Sequence, residues 1–161
     1  MSDRSADARI TIRSAGLDEA ATVLQLMRRA FEEYRGTLYP ESGALRETLE
    51  EVRSGIASGG AFLAFVNAEI VGSARFRVFP DHVYGERIGV LPAYRGRGIA
   101  AALTKAIEAS ASERHVSQVH VKVRASIPSN LRVYEKLGYR VLDSKPYAIG
   151  TDVEITLIKD L

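Results

Sequence analysis

The residues with the clearest chemical potential lie in one bend, VLPAYRGRGIAAAL, which begins at Val90 and alternates two arginines with two glycines before a helical pattern. A helix N-terminus presents about four unpaired backbone N–H groups and a partial positive charge, which together bind anions. Gly96 and Gly98 would let the backbone approach an anion closely. Arg95 and Arg97 would add charge-assisted hydrogen bonds. The bend therefore predicts a phosphate or pyrophosphate site.

Other phosphate-binding patterns fit the bend less well. GRGIAA satisfies the dinucleotide pattern Gly-x-Gly-x-x-Ala, but the residues LPAYR separate it from the preceding strand, and the bend lies past the middle of the chain. The next predicted strand ends in Arg124, where a nicotinamide site needs an acidic residue. A P-loop would need Gly-Lys followed by Ser or Thr. A nicotinamide-dependent oxidoreductase is thus disfavoured, and the plain alternative is a strand-to-helix turn with solvated arginines.

The composition is that of a single globular domain. The chain has 161 residues, of which 46% are apolar and 26% charged, and its net charge is +2. That charge is too small to predict nucleic acid or a membrane as a partner. The absence of cysteine excludes disulfides, thiolate metal sites and a cysteine nucleophile. The polar start MSDRSADAR lacks a signal-peptide core, so we expect a cytoplasmic protein with a disordered tail at 1–8 and one domain at 9–161.

Hydrophobic periodicity predicts the elements that must position the bend. Strand-like alternation and helical spacing follow one another in the order β-α-α-β-β-β-α-β-α-β-β. The strand VYGERIGV precedes the bend, the helix from Ile99 follows it, and VSQVHVKV is the next strand. A short helix opens at Pro128 and ends at Gly138, before two final strands. We therefore expect one mixed α/β sheet flanked by helices.

Two motifs resemble the GNAT superfamily of N-acetyltransferases. Arg95, Gly98 and Ala100 match its acyl-coenzyme A loop, Gln/Arg-x-x-Gly-x-Gly/Ala, position by position. NLRVYEKLGYRV, from Asn130, is similar to the last helix of that family and the strand after it, and contains Tyr134 in YEKLGY. The predicted element order also fits the GNAT fold along nearly the whole chain. The resemblance implies a single-domain, mostly antiparallel mixed sheet with a splayed pair of parallel strands.

The resemblance also implies where a cofactor would bind. Acetyl-coenzyme A would lie between the strands that end near Val90 and Val123, with its pyrophosphate on the backbone N–H groups of the bend. Its amide-rich arm would pair with the strand edge at Ile88 and Val90. The implied cofactor-binding residues are Ile88, Val90, Arg95, Gly96, Arg97, Gly98, Ile99, Ala100 and Asn130.

Asn130 departs from the family pattern. Many members carry an asparagine seven residues before the tyrosine, where this chain has Ile127. Asn130, four residues before Tyr134, could reach the cofactor from the first turn of the helix. It could equally serve as a helix-start residue.

The resemblance assigns two catalytic candidates. Tyr134 matches the family's general acid, although a free phenol has a pKa of about 10 and a thiol about 8.5, so we expect it chiefly to hydrogen-bond the thiolate. Glu86 matches a strand glutamate that acts through water as a base. Period-two alternation puts Glu86 on the same face as Ile88 and Val90, and a bulge would change its direction. The alternative for Tyr134 is packing of its ring against the sheet, and the alternative for Glu86 is an exposed surface carboxylate.

Other polar residues show no such pattern. The three histidines, His82, His115 and His120, lack metal-ligand spacing, and we expect no metal. Arg75 and Arg77 share a face of one strand, where solvation is the expected state.

These inferences predict an N-acetyltransferase that moves acetyl from acetyl-coenzyme A to a primary amine, by direct attack in a ternary complex. The acceptor stays open between a small amine or amino acid derivative and a protein amine. The alternative is a non-catalytic acyl-coenzyme A sensor or a partner-binding module, which Tyr134 argues against. The last strand, DVEITLIK, is long and apolar enough to form a homodimer but suits an ordinary sheet strand equally well.

Overall fold

The computed structural model describes residues 9–161; the predicted tail at 1–8 lies outside the described residues. The observed order of elements confirms the predicted one. The strands are β1 (Ile10–Ala15), β2 (Gly59–Val66), β3 (Glu69–Val78), β4 (Val83–Val90), β5 (Gln118–Arg124), β6 (Arg140–Pro146) and β7 (Val153–Asp160). The helices are α1 (Ala20–Phe31), α2 (Leu49–Ser58), α3 (Ile99–Glu113) and α4 (Pro128–Lys136).

The strands form one sheet in the order β1-β2-β3-β4-β5-β7-β6. Each neighbouring pair is antiparallel except β4 and β5, which run parallel. The helix α3 connects these two strands, as a parallel crossover requires. The mostly antiparallel sheet with one parallel pair confirms the predicted fold class.

Two helical layers cover opposite faces of the sheet. Alternating residues of β2 show this, because Leu63 packs in a cluster with α1 and α2 whereas Phe62 and Ala64 pack in a cluster with α3. Each cluster is built around fully buried apolar side chains, such as Met27 of α1 and Leu103 of α3. No helix within residues 9–161 is long and apolar enough to cross a membrane.

The parallel pair is joined over only part of its length. Val83, Tyr84 and Gly85 of β4 pair with residues of β5, and the last pair is Gly85 with Val121. Beyond that point β4 continues to Val90 while bonded only to β3. The strands therefore splay apart as predicted and leave an opening in the middle of the sheet.

A β-bulge lies in β4 beside this opening. Ser73 of β3 faces Gly89 and Arg75 faces Glu86, so one residue of β3 opposes two residues of β4. Arg87 lies in the bulge with φ of 53°, in the left-handed region. A non-glycine residue seldom adopts that conformation, which makes the position a structural feature of the site.

The bulge corrects the expected direction of Glu86. Glu86 lies opposite Arg75, whose guanidinium is close to Gly55 of α2, so both side chains are on the α1–α2 face. Ile88 and Val90 pack in the cluster with α3 on the other face. The prediction that all three share a face was wrong, because the extra residue of the bulge breaks the period of two.

The last strand is not free for edge pairing. β7 lies between β5 and β6 and is paired along both sides, so it is an ordinary interior strand. Within this sheet β7 offers no open edge, and the homodimer stays a prediction. β6 is the edge strand at this end of the sheet, and its Val141 and Leu142 are about half exposed.

Candidate functional site

A cavity of about 460 Å³ passes through the opening between β4 and β5. On the α3–α4 side its wall includes Ala100, Val133 and Tyr134. On the opposite side its wall includes Tyr84 and Glu86, together with residues of the loop that joins α1 to α2. The opening thus connects two compartments of different character, one lined by α3 and α4 and one by charged and aromatic side chains.

The N-terminus of α3 is open beside the first compartment. The first paired N–H group of the helix is that of Ala102, which donates to the Gly98 carbonyl at 3.0 Å, and no side chain caps the helix within the described residues. Gly96 and Gly98 have φ of 77° and 81°, and an added Cβ on either would meet nothing within 4 Å. Left-handed backbone and open space are what a backbone anion site needs. The structure therefore brings the predicted residues Gly96 to Ala100 together in one turn, in which Gly96, Arg97 and Gly98 are exposed and the Ile99 side chain is buried.

The edge of β4 beyond Gly85 faces the opening and pairs with no neighbouring strand in the described chain. Leu91 donates its N–H to the Val71 carbonyl of β3 at 2.9 Å, so the adjacent N–H of Val90 points away from β3. The same alternation turns Ile88 toward the opening, because Gly89 between them pairs with β3. Ile88 lines the cavity, and Val90 continues the same strand edge two residues further on, as an extended amide-bearing ligand would require.

The two arginines of the bend are placed differently from one another. Arg95 donates from Nε to the Val90 carbonyl and from Nη2 to the Ala30 carbonyl, each at 3.1 Å, and also pairs with Glu33. Its guanidinium thereby ties the bend to the end of α1. Arg97 is exposed, with its guanidinium 5.1 Å from the centre of the Tyr94 ring. Of the two side chains, Arg97 is the one free to reach a bound anion.

Tyr134 is buried within the wall of the first compartment, and its ring lies 5.6 Å from the ring of Tyr139. Burial raises the pKa of the Tyr134 phenol well above its ordinary value, and the neighbouring Thr104 hydroxyl only partly offsets this effect. The phenol is therefore protonated at neutral pH. It can donate a hydrogen bond to an anion in the cavity, whereas complete proton transfer to a thiolate would be uphill.

Glu86 lies in the second compartment. Its Oε2 atom is 3.2 Å from Nη2 of Arg77, and its side chain is 17% exposed. Next to it, Tyr84 lies 5.0 Å beneath the guanidinium of Arg77, and burial followed by the charge of Glu86 raises the pKa of Tyr84 to about 12. Glu86 is thus a carboxylate at the cavity wall with one cationic partner.

Asn130 lines the cavity at the first turn of α4 and lies beside Tyr34, which follows α1. Burial raises the pKa of the Tyr34 phenol, and the Asn130 side chain acts in the opposite direction. Tyr34, three residues beyond the end of α1, and Asn130 of α4 both line the cavity. Asn130 is therefore at the cavity and in the helix-start position at once.

Sequence reasoning missed a buried ionic cluster behind the second compartment. Arg75 is 2% exposed, and its Nη2 atom donates to Oε1 of Glu47 at 2.5 Å. Arg87 donates from Nε to Oε2 of the same carboxylate at 3.2 Å. The expected solvation of Arg75 was wrong because the loop before α2 folds over it. The adjacent charged residues Glu86 and Arg87 break the alternation of VYGERIGV, and this break was the sequence signal that could have indicated Arg87.

The histidines do not form a metal site. His82 stacks on His120 with ring centres 3.9 Å apart, and its Nδ1 atom lies 2.7 Å from Oδ1 of Asp81. Within residues 9–161, no group of three or more histidine, aspartate or glutamate side chains could hold a metal ion.

Comparisons with known proteins agree with this geometry. The Acetyltransferase (GNAT) family matches residues 21–139, which include the bend and Tyr134. A mycothiol acetyltransferase of Amycolatopsis mediterranei is 34% identical over 138 residues, covering 77% of this chain and 43% of that protein. An acetyltransferase of Pectobacterium atrosepticum is 37% identical over 81 residues, covering 50% of this chain and 57% of that protein. The chain thus spans about half the length of these relatives.

Solved structures share the fold at low sequence identity. The PaiA N-acetyltransferase of Thermoplasma acidophilum, solved in complex with coenzyme A, has a TM-score of 0.79 and 18% identity, covering 95% of this chain and 99% of that one. The ribosomal-protein-S18-alanine N-acetyltransferase of Escherichia coli has a TM-score of 0.75 and 20% identity, covering 94% of both chains. With the family match over most of the chain, the resemblance is confirmed, and the protein belongs to the GNAT family of acetyltransferases.

Proposed function

We propose that this protein transfers the acetyl group of acetyl-coenzyme A to a primary amine, by direct attack in a ternary complex. The observation that carries the proposal is the cavity through the opening between β4 and β5, with the uncapped N-terminus of α3 beside it. A cofactor bound from the α3–α4 side and an amine bound from the other side would meet in that opening.

The cofactor would be held mainly by backbone groups. The N–H groups of the turn from Gly96 to Ala100 suit a pyrophosphate, and the exposed side chain of Arg97 can add a charge-assisted hydrogen bond. The edge of β4 at Ile88 and Val90, which no other strand covers in the described chain, suits the amides of the pantetheine arm. Family members solved with coenzyme A support this choice of cofactor.

The reaction needs few protein groups. Acetyl-coenzyme A supplies the acyl group as a thioester; the neutral amine nitrogen bonds to its carbonyl carbon, the carbon–sulfur bond breaks, and coenzyme A leaves as a thiolate. The new amide nitrogen releases one further proton, which goes to the thiolate or to water. The buried Tyr134 phenol is a hydrogen-bond donor suited to that thiolate. Glu86, a carboxylate at the cavity wall, would take, through water, the proton that the ammonium must lose before attack. The chain has no cysteine, which favours direct transfer over a cysteine acyl-enzyme.

Calorimetric titration with acetyl-coenzyme A, coenzyme A and NADH tests the proposal. We expect the first two ligands to bind and NADH not to bind. In Gly98→Trp, the bulky side chain should fill the open turn and abolish binding. Gly36→Trp is the matched control, because Gly36 also has positive φ, 75°, and open space around its Cβ position, but lies outside the cavity wall.

An amine panel with detection of free thiol then tests turnover. Release of coenzyme A that depends on an amine supports the transferase. Binding of acetyl-coenzyme A without turnover of any amine would favour the non-catalytic sensor. Absence of binding by both coenzyme A species would overturn the assignment of the bend.

A further inference from the structure

Arg87 is the cavity residue with the most unusual backbone conformation. Its backbone lies in the left-handed region at φ of 53°, and its side chain is one-third exposed at the wall of the second compartment. Left-handed backbone at a non-glycine residue is unfavourable and persists where the surrounding structure enforces it. The direction of this side chain is therefore fixed by the bulge.

The guanidinium of Arg87 is hydrogen-bonded through its Nε atom and not through its two terminal nitrogens within the described chain. Its Nε atom donates to Oε2 of Glu47 at 3.2 Å, which is its only hydrogen bond to any described residue. Its Nη2 atom packs against Gly43, where an added Cβ would lie 2.7 Å away. Neither terminal nitrogen makes a hydrogen bond within the described chain, and such a pair matches the two oxygens of a carboxylate.

The charge of Arg87 is only partly balanced. Glu47, whose side chain is 10% exposed, contacts both Arg75 and Arg87, so one negative charge serves two positive ones. The other cations of this compartment each have a carboxylate of their own in the described chain: Arg77 with Glu86, Lys122 with Glu154, and Arg124 with Asp152. Among the cations that line the cavity in the described chain, Arg87 is therefore the one that shares its carboxylate with a second arginine.

We infer that Arg87 binds the carboxylate of the acceptor, and that the acceptor is an amino acid or a similar small molecule with an amine and a carboxylate a few bonds apart. The inference rests on the proposed function. Glu86 and Arg87 are consecutive, and the bulge turns both toward the α1–α2 face. An ammonium near Glu86 and a carboxylate at Arg87 would use both charges of one zwitterion. A protein lysine offers no carboxylate at that distance from its amine.

The test compares L-amino acids with their carboxamides as acceptors. The panel spans apolar, polar and charged side chains, and each acid differs from its amide only in the group that Arg87 would bind. We expect kcat/KM for at least one acid to exceed that for its amide by about 10- to 100-fold, the range of a hydrogen-bonded charge pair. In Arg87→Gln, the preference should vanish through a higher KM with little change in kcat.

Two further variants separate recognition from folding. Gly43→Ala should displace the guanidinium tip and weaken the acid preference, because the atom that its Cβ meets is the far end of a flexible side chain. Arg53→Gln is the matched control for loss of an arginine, since Arg53 is exposed on α2 and should keep the preference. Equal use of acids and amides by the wild type, or a preference that survives in Arg87→Gln, would overturn the inference.

A binding experiment, the binding arm of the test, distinguishes failure of this inference from failure of the proposed function. Calorimetry with N-acetyl amino acids and their carboxamides, in the presence of coenzyme A, requires no turnover. If amines are acetylated but neither arm shows an acid preference, the inference alone fails. If no amine is acetylated, the proposed function fails, and an Arg87-dependent acid preference in the binding arm would still support the carboxylate site.

Discussion

Gly85 and Val121 are the last residues at which β4 and β5 pair, and an added Cβ on Gly85 would lie 3.3 Å from Cγ1 of Val121. The strands touch closely at that point and separate directly beyond it. Tyr134 on the α3–α4 side and Glu86 on the other side are thereby joined through one cavity although they face opposite layers. The two candidate residues can accordingly be tested one at a time.

Tyr134→Phe should lower kcat by about 10- to 100-fold, which is the effect of losing one hydrogen bond to a charged group. Binding of acetyl-coenzyme A should not change, because the ring and its packing remain. Burial raises the pKa of this phenol, so the wild-type kcat should show no fall from its ionisation up to about pH 10. Steady-state kinetics and calorimetry measure both quantities.

Tyr139→Phe is the matched control for Tyr134→Phe. Tyr139 is buried next to Tyr134, and its hydroxyl donates to Oε2 of Glu108 at 3.0 Å, outside the cavity wall. Loss of the Tyr139 hydroxyl should lower the free energy of unfolding by about 1 kcal/mol and leave kcat unchanged. Equal turnover in the two variants would contradict a role for the Tyr134 hydroxyl.

Glu86→Gln should lower kcat/KM at pH 7 by about 10- to 100-fold, because a primary amine with a pKa of about 10 must lose a proton before it attacks. The difference from the wild type should shrink as the pH rises toward 10, since a growing share of the amine is then already neutral. Glu113→Gln, at an exposed position at the end of α3, is the control. A difference that stays constant from pH 7 to pH 10 would argue against a base at Glu86.

Periodicity and motifs were sufficient to predict the frame of the site. Alternation and helical spacing are local properties of the chain, and they gave the correct order of all strands and helices. The alternating glycines of the bend also indicated the open helix start, since Gly96 and Gly98 both adopt the positive φ that only glycine adopts readily.

The features of the site that could not be predicted depend on contacts between residues far apart in the sequence. Glu47 meets Arg75 and Arg87 across 28 and 40 residues of sequence, and no local pattern specifies which charged residues a loop will bury. The bulge at Arg87 reflects the pairing of β4 with β3, so period-two reasoning misplaced Glu86. Such errors concentrate at the site because its geometry departs from regular structure.

Gly89→Ala should destabilise the fold by about 1–3 kcal/mol. An added Cβ would lie 2.9 Å from Cε2 of Phe31 and 3.0 Å from Cβ of Ala30, so α1 would have to move away from β4. Gly55→Ala is the contrasting control. Gly55 lies inside α2, where alanine is more stable than glycine by about 0.5–1 kcal/mol, and its added Cβ would make an ordinary contact of 3.5 Å with Arg75. Urea unfolding of both variants should show opposite signs, and destabilisation by both would contradict this account.

Asp152 anchors the segment before β7 to the region after β5. Its carboxylate accepts from the Ser126 hydroxyl at 2.6 Å and from the Val153 N–H at 2.8 Å, and it pairs with Arg124 at 3.4 Å. Burial opposes ionisation of this carboxyl, but the hydrogen bonds outweigh burial and hold the pKa of Asp152 below its ordinary value. The folded state thus favours the charged form.

Asp152→Asn should cost about 1–3 kcal/mol of unfolding free energy at pH 7, since the amide cannot replace all of the accepted hydrogen bonds. A folded pKa below the unfolded value of about 3.9 contributes stability above that value, and the contribution is lost as the pH falls through the folded pKa. The gap between wild type and variant should therefore narrow below about pH 4. Asp143→Asn, at an exposed position on β6, should change stability by less than about 0.5 kcal/mol at either pH. Urea unfolding at pH 7 and pH 3 measures both gaps, and an Asp152→Asn penalty of the same size at the two values would show that the carboxylate charge contributes nothing.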